Sequence, residues 1–317
     1  LCGENRQVIR NLNNRRSYKQ QPPCQTGLVV AAFGRHFSVE TANGEIVSCV
    51  MRGKKSGVAC GDQVEYQLTA AGQGVIETVQ PRISLLYRSD AFKEKIIAAN
   101  VTQIIIVVAA VPSFSEELIS RCLAAAESEN IEVLIVLNKA DLIAPTQTAM
   151  QTLSLYQNLD YRILPVSALQ DVSALRPHLR NHLSVLAGQS GMGKSTLLNA
   201  LIPEARRATA EISVALDSGT HTTTYSQLYH LDENSAVIDS PGFQEFGLNH
   251  IKEENLAWGF LEFHPYFGQC KFSNCRHLKE PGCAILAAVK QGKITEKRLG
   301  FYHKLLCRDR SGTGLTR

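Results

Sequence analysis

Eight consecutive residues, Gly188-Gln189-Ser190-Gly191-Met192-Gly193-Lys194-Ser195, fit the pattern G-x-x-x-x-G-K-S. That pattern binds phosphate. Its glycines let backbone N–H groups converge on the phosphates, the lysine ammonium reaches the β and γ oxygens, and the serine hydroxyl ligates Mg²⁺. Thr196 is placed on the nucleotide with the same loop. Downstream, Asp239-Ser240-Pro241-Gly242 follows the apolar Ala236-Val237-Ile238. Asp239 therefore stands at the C-terminal end of a strand, where a carboxylate can hold Mg²⁺ through water and the Gly242 N–H can contact a γ-phosphate.

Asn138-Lys139-Ala140-Asp141 ends the apolar run Ile131 to Leu137. An ionised Asp141 only accepts hydrogen bonds, so it can take both N1–H and N2–H of guanine. Adenine has no donor at those edges and would leave the carboxylate desolvated, at a cost of about 1–3 kcal/mol. This turns a nucleotide site into a guanine-nucleotide site and disfavours an ATP-dependent kinase. Ser167-Ala168 ends the next strand, where the Ala168 N–H is placed to meet guanine O6.

Between loop and carboxylate lies Gly219-Thr220-His221-Thr222-Thr223-Thr224. Either Thr222 or Thr223 completes the Mg²⁺ shell with Ser195 and Asp239 in the triphosphate state and releases on hydrolysis. Many small GTPases carry a water-orienting Gln directly after the D-x-x-G glycine, whereas this chain has Phe243. Water placement then falls to His221 or to a group supplied by a partner, and intrinsic turnover should be slow. The catalytic set on this reading is Lys194, His221 and the threonine pair.

A second chemistry is soft-metal ligation. Cys270, Cys275, His277 and Cys283 supply three thiolates and an imidazole within fourteen residues, the ligand set of a closed, structural Zn²⁺. His264 is the substitute ligand, although its aromatic neighbours argue for packing. The other six of nine cysteines are scattered, which fits a reducing cytoplasm better than an oxidised scaffold.

The elements that must position these groups are legible in outline. The chain has 317 residues with 44% hydrophobic and 20% charged content, which excludes disorder, collagen and coiled coil. Its longest apolar run, Ile104 to Val111, is far shorter than the roughly 20 residues a membrane helix needs. Residues 1–26 read as a flexible basic arm. Residues 27–85 carry five short alternating strands with an Asn43-Gly44 hairpin turn, the pattern of a small OB-type barrel. Over 86–246, apolar strands alternate with amphipathic helices, which predicts a parallel sheet covered on both faces. Residues 247–317 hold the Cys/His cluster and end in a segment where Lys290, Lys293, Lys297, Arg298, Lys304, Arg308 and Arg310 interleave with apolar residues. That segment reads either as a solvated face or as an RNA-facing helix. The net charge of +4 permits a polyanionic partner without requiring one.

In ordinary GTPases the phosphate loop comes first. Here N-K-A-D and S-A precede the loop, and D-S-P-G follows it. Strand ends can still meet in space if the usual termini are joined and the chain is opened elsewhere.

The full order, ending in C-x4-C-x-H-x5-C, resembles the bacterial ribosome small-subunit-dependent GTPase A family (RsgA, also called YjeQ). Ile97-Ala98-Ala99-Asn100, Glu245-Phe246-Gly247-Leu248 and Pro281-Gly282-Cys283-Ala284-Ile285 match it as well. The resemblance runs from about Gly27 to Leu306. It implies an α/β P-loop GTPase domain, circularly permuted, between an OB barrel and a small α-rich zinc domain. It also implies a cytoplasmic monomer that acts late in maturation of the small (30S) ribosomal subunit, contacting its rRNA and other assembly factors of that subunit. The subunit would stimulate GTP hydrolysis, and hydrolysis would drive release. The alternative reading is an RNA-binding protein that uses GTP as a sensing ligand with little turnover.

Overall fold

Five strands of alternating burial come first among the described residues: β1 (Gln25–Phe33), β2 (His36–Thr41), β3 (Ile46–Met51), β4 (Gln63–Ala70) and β5 (Gln73–Val79). They pair in the order β1-β2-β3-β5-β4, and β4 returns to β1, closing an OB-like barrel. Val29, Val39, Val64, Tyr66 and Ile76 point inward and have no exposed surface. In this computed structural model the described residues are 24–53, 57–90, 93–203, 225–240, 248 and 251–308. The basic arm up to residue 23 lies outside them, as do His221, Thr222, Thr223, Gly242 and Phe243.

A hairpin that the sequence reading did not anticipate follows the barrel. β6 (Leu85–Asp90) pairs antiparallel with β7 (Lys93–Ala99). Asn100 closes its base from a left-handed conformation at φ 59°. Its side chain accepts from the Ile83 N–H at 3.0 Å and donates to the Gly61 carbonyl at 2.9 Å, fastening the hairpin to the barrel.

The α/β region runs β8 (Gln103–Ala109), α1 (Glu116–Ser128), β9 (Glu132–Asn138), α2 (Ile143–Gln157), β10 (Arg162–Pro165), β11 (Leu183–Ala187), α3 (Lys194–Leu201), β12 (Ser226–His230) and β13 (Ala236–Asp239). Ser115 caps α1, its hydroxyl accepting from the Leu118 N–H at 3.2 Å, as expected of an N-cap serine. β10-β9-β8-β11-β13 are parallel neighbours, and their buried, β-branched faces need cover on both sides. The parallel run ends at β13, because β12 pairs antiparallel with it. β12 also pairs with β1 (Ala31 with Gln227, Ala32 with Ser226), so barrel and core share one 11-stranded sheet. In this order β9, β11 and β13 deliver their C-terminal ends to the same sheet edge, where α/β folds bind ligands. The permuted chain thus keeps N-K-A-D, the phosphate loop and Asp239 side by side.

The C-terminal module adds α4 (Ala284–Lys290) and α5 (Glu296–Arg308). It has no core of its own. Phe260, Phe263, Ile285, Tyr302 and Leu306 join Ile104, Leu123 and Tyr156 of the α/β region in a single cluster. Arg298 leaves the basic face expected of α5. Arg298 is 1% exposed and ion-pairs with Glu262, donates from Nη1 to Ser120 Oγ of α1 at 2.8 Å, and lies 4.6 Å from the Phe260 ring. Lys297 pairs with Glu116, and Lys304 with Glu117, in the first turn of α1. Helical periodicity identifies a cationic stripe but does not say what covers it.

Arg298→Met should destabilise the protein by about 3–5 kcal/mol, because it leaves the Glu262 carboxylate buried without its partner. Chemical denaturation measures this, and adding Glu262→Leu should recover a large part of the loss. A single variant within 1 kcal/mol of wild type would contradict the argument.

Candidate functional site

The phosphate loop leaves β11 at Gly188 and enters α3 at Lys194. Two of its glycines are dictated by geometry. Gly188 has φ 142°, and a Cβ there would sit 2.2 Å from the Val107 carbonyl oxygen; at Gly193, φ 90°, it would sit 2.3 Å from Asn138 Nδ2. The loop walls a cleft of about 530 Å³ lined by Ser190, Gly191, Gly193, Lys194, Ser195 and Thr196, with Lys139 and Asp239 joining from the neighbouring strand ends. Lys194 Nζ donates to the carbonyls of Gly188 at 2.6 Å and Gln189 at 2.7 Å. Burial lowers the Lys194 pKa, and the nearby Asp239 charge opposes that shift. Burial likewise raises the Asp239 pKa, with Lys194 pulling it back. A desolvated carboxylate facing an ammonium and an adjacent Ser195 hydroxyl forms a set of hard oxygens suited to Mg²⁺.

Two predicted loop residues face elsewhere. The Gln189 carboxamide accepts from the Ser115 N–H at 2.7 Å, tying the loop to the start of α1. The Met192 side chain is buried in the core beside Leu197 and Leu198. Their backbones alone remain for a phosphate.

The base side is built around Asn138. Its Nδ2 donates to the Met192 carbonyl at 2.9 Å, and its Oδ1 accepts from the Ala168 N–H at 3.0 Å. The amide expected to meet guanine O6 is therefore held within the protein, where it fixes Asn138. Ser167 Oγ donates to Asp141 Oδ1 at 2.6 Å, which aims the carboxylate. Lys139 adopts φ 62° and bridges the Val111 carbonyl at 2.7 Å and the Gly191 carbonyl at 3.0 Å. Ala140 completes the turn, its N–H donating to the Val166 carbonyl at 3.0 Å.

Sequence reasoning missed Tyr225, Gln227, Tyr229 and Ser240, which also line the cleft. The signal for the first three is the i, i+2, i+4 spacing along β12, which places them on one face. Tyr225 stacks on Phe33 of the barrel at 5.3 Å, and Ser226 and Ser240 share a 2.9 Å hydroxyl contact.

At the other end of the chain, ligand atoms of Cys270, Cys275, His277 and Cys283 lie within 4.8 Å of one another. Cys270 Sγ is 3.6 Å from His277 Nδ1 and 3.9 Å from Cys283 Sγ, and His277 Nδ1 is 3.4 Å from Cys283 Sγ. A zinc tetrahedron with ordinary Zn–S and Zn–N bonds has edges of about 3.5–3.8 Å, so the set fits the ion with no position left for water. Burial pushes the Cys275 thiol up to about 12, raises Cys283 and lowers His277. Thiolates in this setting need a cation beside them. Backbone N–H groups of Ala284 and Leu286 donate to the sulfurs of Cys270 and Cys283 at 3.4 and 3.5 Å. His264 is excluded from the set, since its Nε2 bonds to the Trp258 carbonyl at 2.8 Å.

Comparison with known proteins agrees with this geometry. The family model described as RsgA GTPase matches residues 79–249. A small ribosomal subunit biogenesis GTPase RsgA from Nitrosospira multiformis is 61% identical over 285 residues, spanning 90% of this chain and 91% of its own length. The protein of that name from Nitrosomonas europaea is 57% identical, spanning 89% and 90%. Among solved structures, YjeQ from Thermotoga maritima superposes with a TM-score of 0.70 at 34% identity, covering 90% of this chain and 98% of its own. YloQ, described as a circularly permuted GTPase, gives 0.68 at 28% identity, covering 94% and 99%.

Proposed function

Because this chain belongs to the RsgA GTPase family, a GTPase family of ribosome biogenesis, we propose that it binds the small (30S) ribosomal subunit and hydrolyses GTP when the subunit stimulates it. Hydrolysis is coupled to release late in subunit maturation. The observation that carries the reading is the convergence on Asn138, which links the phosphate loop through Met192 to the Ser167-Ala168 turn and stands beside Asp141. A phosphate site and a guanine-selecting carboxylate are thereby held in one frame.

In this mechanism Asp141, aimed by Ser167, selects guanine. Backbone N–H groups of Gly188 to Gly193, with Ser195 and Thr196, cradle the phosphates. Lys194 stabilises charge that develops on the transferred phosphoryl group. Ser195, Thr222 or Thr223, and Asp239 through water would hold Mg²⁺, which would supply neutralising charge to the phosphates. His221 or a subunit group positions the water, and the Gly242 N–H meets the γ-phosphate. Barrel, basic arm and zinc module grip rRNA, and other small-subunit assembly factors join on the same particle. The protein acts as a cytoplasmic monomer. In support of that compartment, Cys270, Cys275 and Cys283 gather with His277 as soft metal ligands, a use of thiols that fits reducing surroundings.

Phosphate release from GTP, measured with and without purified small subunits, tests the proposal. Stimulation of at least tenfold, with ATP unable to compete, is the expected result. Tight binding of GTP and subunit without stimulation would leave the protein a sensor.

A further inference from the structure

Gln227 lies directly opposite Asp239 in the antiparallel β12–β13 pair. Directly opposed residues of such a pair point to the same sheet face, with Cβ atoms about 4.5–5.5 Å apart. Both side chains line the phosphate cleft with Lys194 and Ser195. The Gln227 carboxamide oxygen is buried and finds no hydrogen-bond donor among the described residues. A buried acceptor left unmade costs about 1–3 kcal/mol, so a donor belongs at this position.

The geometry points to Gln227 as a positioning residue for the cation of the nucleotide site: its Oε1 accepts from a water in the Mg²⁺ shell held by Asp239 and Ser195. The inference rests on the nucleotide-site reading above. Two acceptors, one of them a desolvated carboxylate, converge beside a hydroxyl, and a hydrated divalent ion presents the donors that such a set lacks. The neighbouring Tyr225 stacks on Phe33, which fixes the start of β12 and with it the place of the carboxamide. Outer-shell partners of this kind are worth roughly 10–100-fold in metal affinity where measured.

The test is the affinity of a fluorescent GDP titrated against Mg²⁺ for wild type, Gln227→Leu and Gln227→Glu. Gln227→Leu should raise the half-saturating Mg²⁺ concentration by about tenfold while nucleotide affinity in buffer without added Mg²⁺ stays at the wild-type value. Gln227→Glu keeps an acceptor and should leave the midpoint at or below that of wild type. An unchanged midpoint in Gln227→Leu overturns the inference while leaving the nucleotide site intact. A slower turnover at saturating Mg²⁺ with an unchanged midpoint also overturns it and moves Gln227 to the attacking water. Equal loss of affinity with and without Mg²⁺ in both variants would assign the residue to packing. Failure of the wild-type protein to bind GDP under any condition would instead remove the nucleotide-site reading.

Discussion

Lys194→Ala should lower subunit-stimulated GTP turnover by about 10³-fold. The ammonium is bonded at 2.6 and 2.7 Å to the loop carbonyls of Gly188 and Gln189, and its charge is coupled to the Asp239 carboxylate in the same cleft. Charge on the transferred phosphoryl oxygens grows in the transition state, so a partly desolvated ammonium lining the cleft acts mainly on kcat. Nucleotide affinity should fall less than kcat, because the backbone N–H groups of the loop remain. Steady-state phosphate release with purified subunits gives both parameters, and a circular dichroism melt checks that the fold survives. Turnover within tenfold of wild type would remove Lys194 from the chemistry and put the stabilising charge on a group from the subunit.

How far the sequence alone leads depends on whether a feature is local. The strand Leu183–Ala187 and the helix Lys194–Leu201 leave a local trace, because an apolar run, a glycine loop and a lysine-led helix follow one another without interruption. The Ser115 cap is equally local, since its hydroxyl bonds only three residues on. The β6–β7 hairpin escapes, since Arg88-Ser89-Asp90 and Lys93-Glu94-Lys95 hide its alternation behind charges. The metal ligands are legible because four soft donors fall within one short segment. Arg298 is misread because its partners, Glu262 and Ser120, are remote in sequence. The Ala168–Asn138 bond and the place of Gln227 escape for a related reason: one joins groups 30 residues apart, and the other gains meaning only from its register with Asp239. Long-range pairing leaves no periodicity to read.

Loss of a zinc ligand should unfold more than the zinc module. Cys283 is 4% exposed, contributes its sulfur to the cluster and starts α4 by accepting from the Leu286 N–H. Its neighbours Ile285, Phe263 and Tyr302 share one core with Leu123 and Tyr156, and Arg298 and Lys297 fasten α5 to α1. The segment carrying the ligands has little core to fold on without the metal, whose binding free energy in small zinc modules is about 10–16 kcal/mol. Cys283→Ser should therefore cost more than about 4 kcal/mol and lower Tm by roughly 10 °C or more. Because the core is continuous, fluorescent GDP should be released in the same single transition that exposes the aromatic cluster. A strong chelator should reproduce the shift in the wild-type protein, and added Zn²⁺ should reverse it. Two separate transitions, with GDP retained through the first, would show that the module folds on its own. The contacts of α1 with α5 argue against that outcome. The helix whose capping residue is held by Gln189 of the phosphate loop is the same helix on which the zinc module rests, so destabilising one should loosen the other.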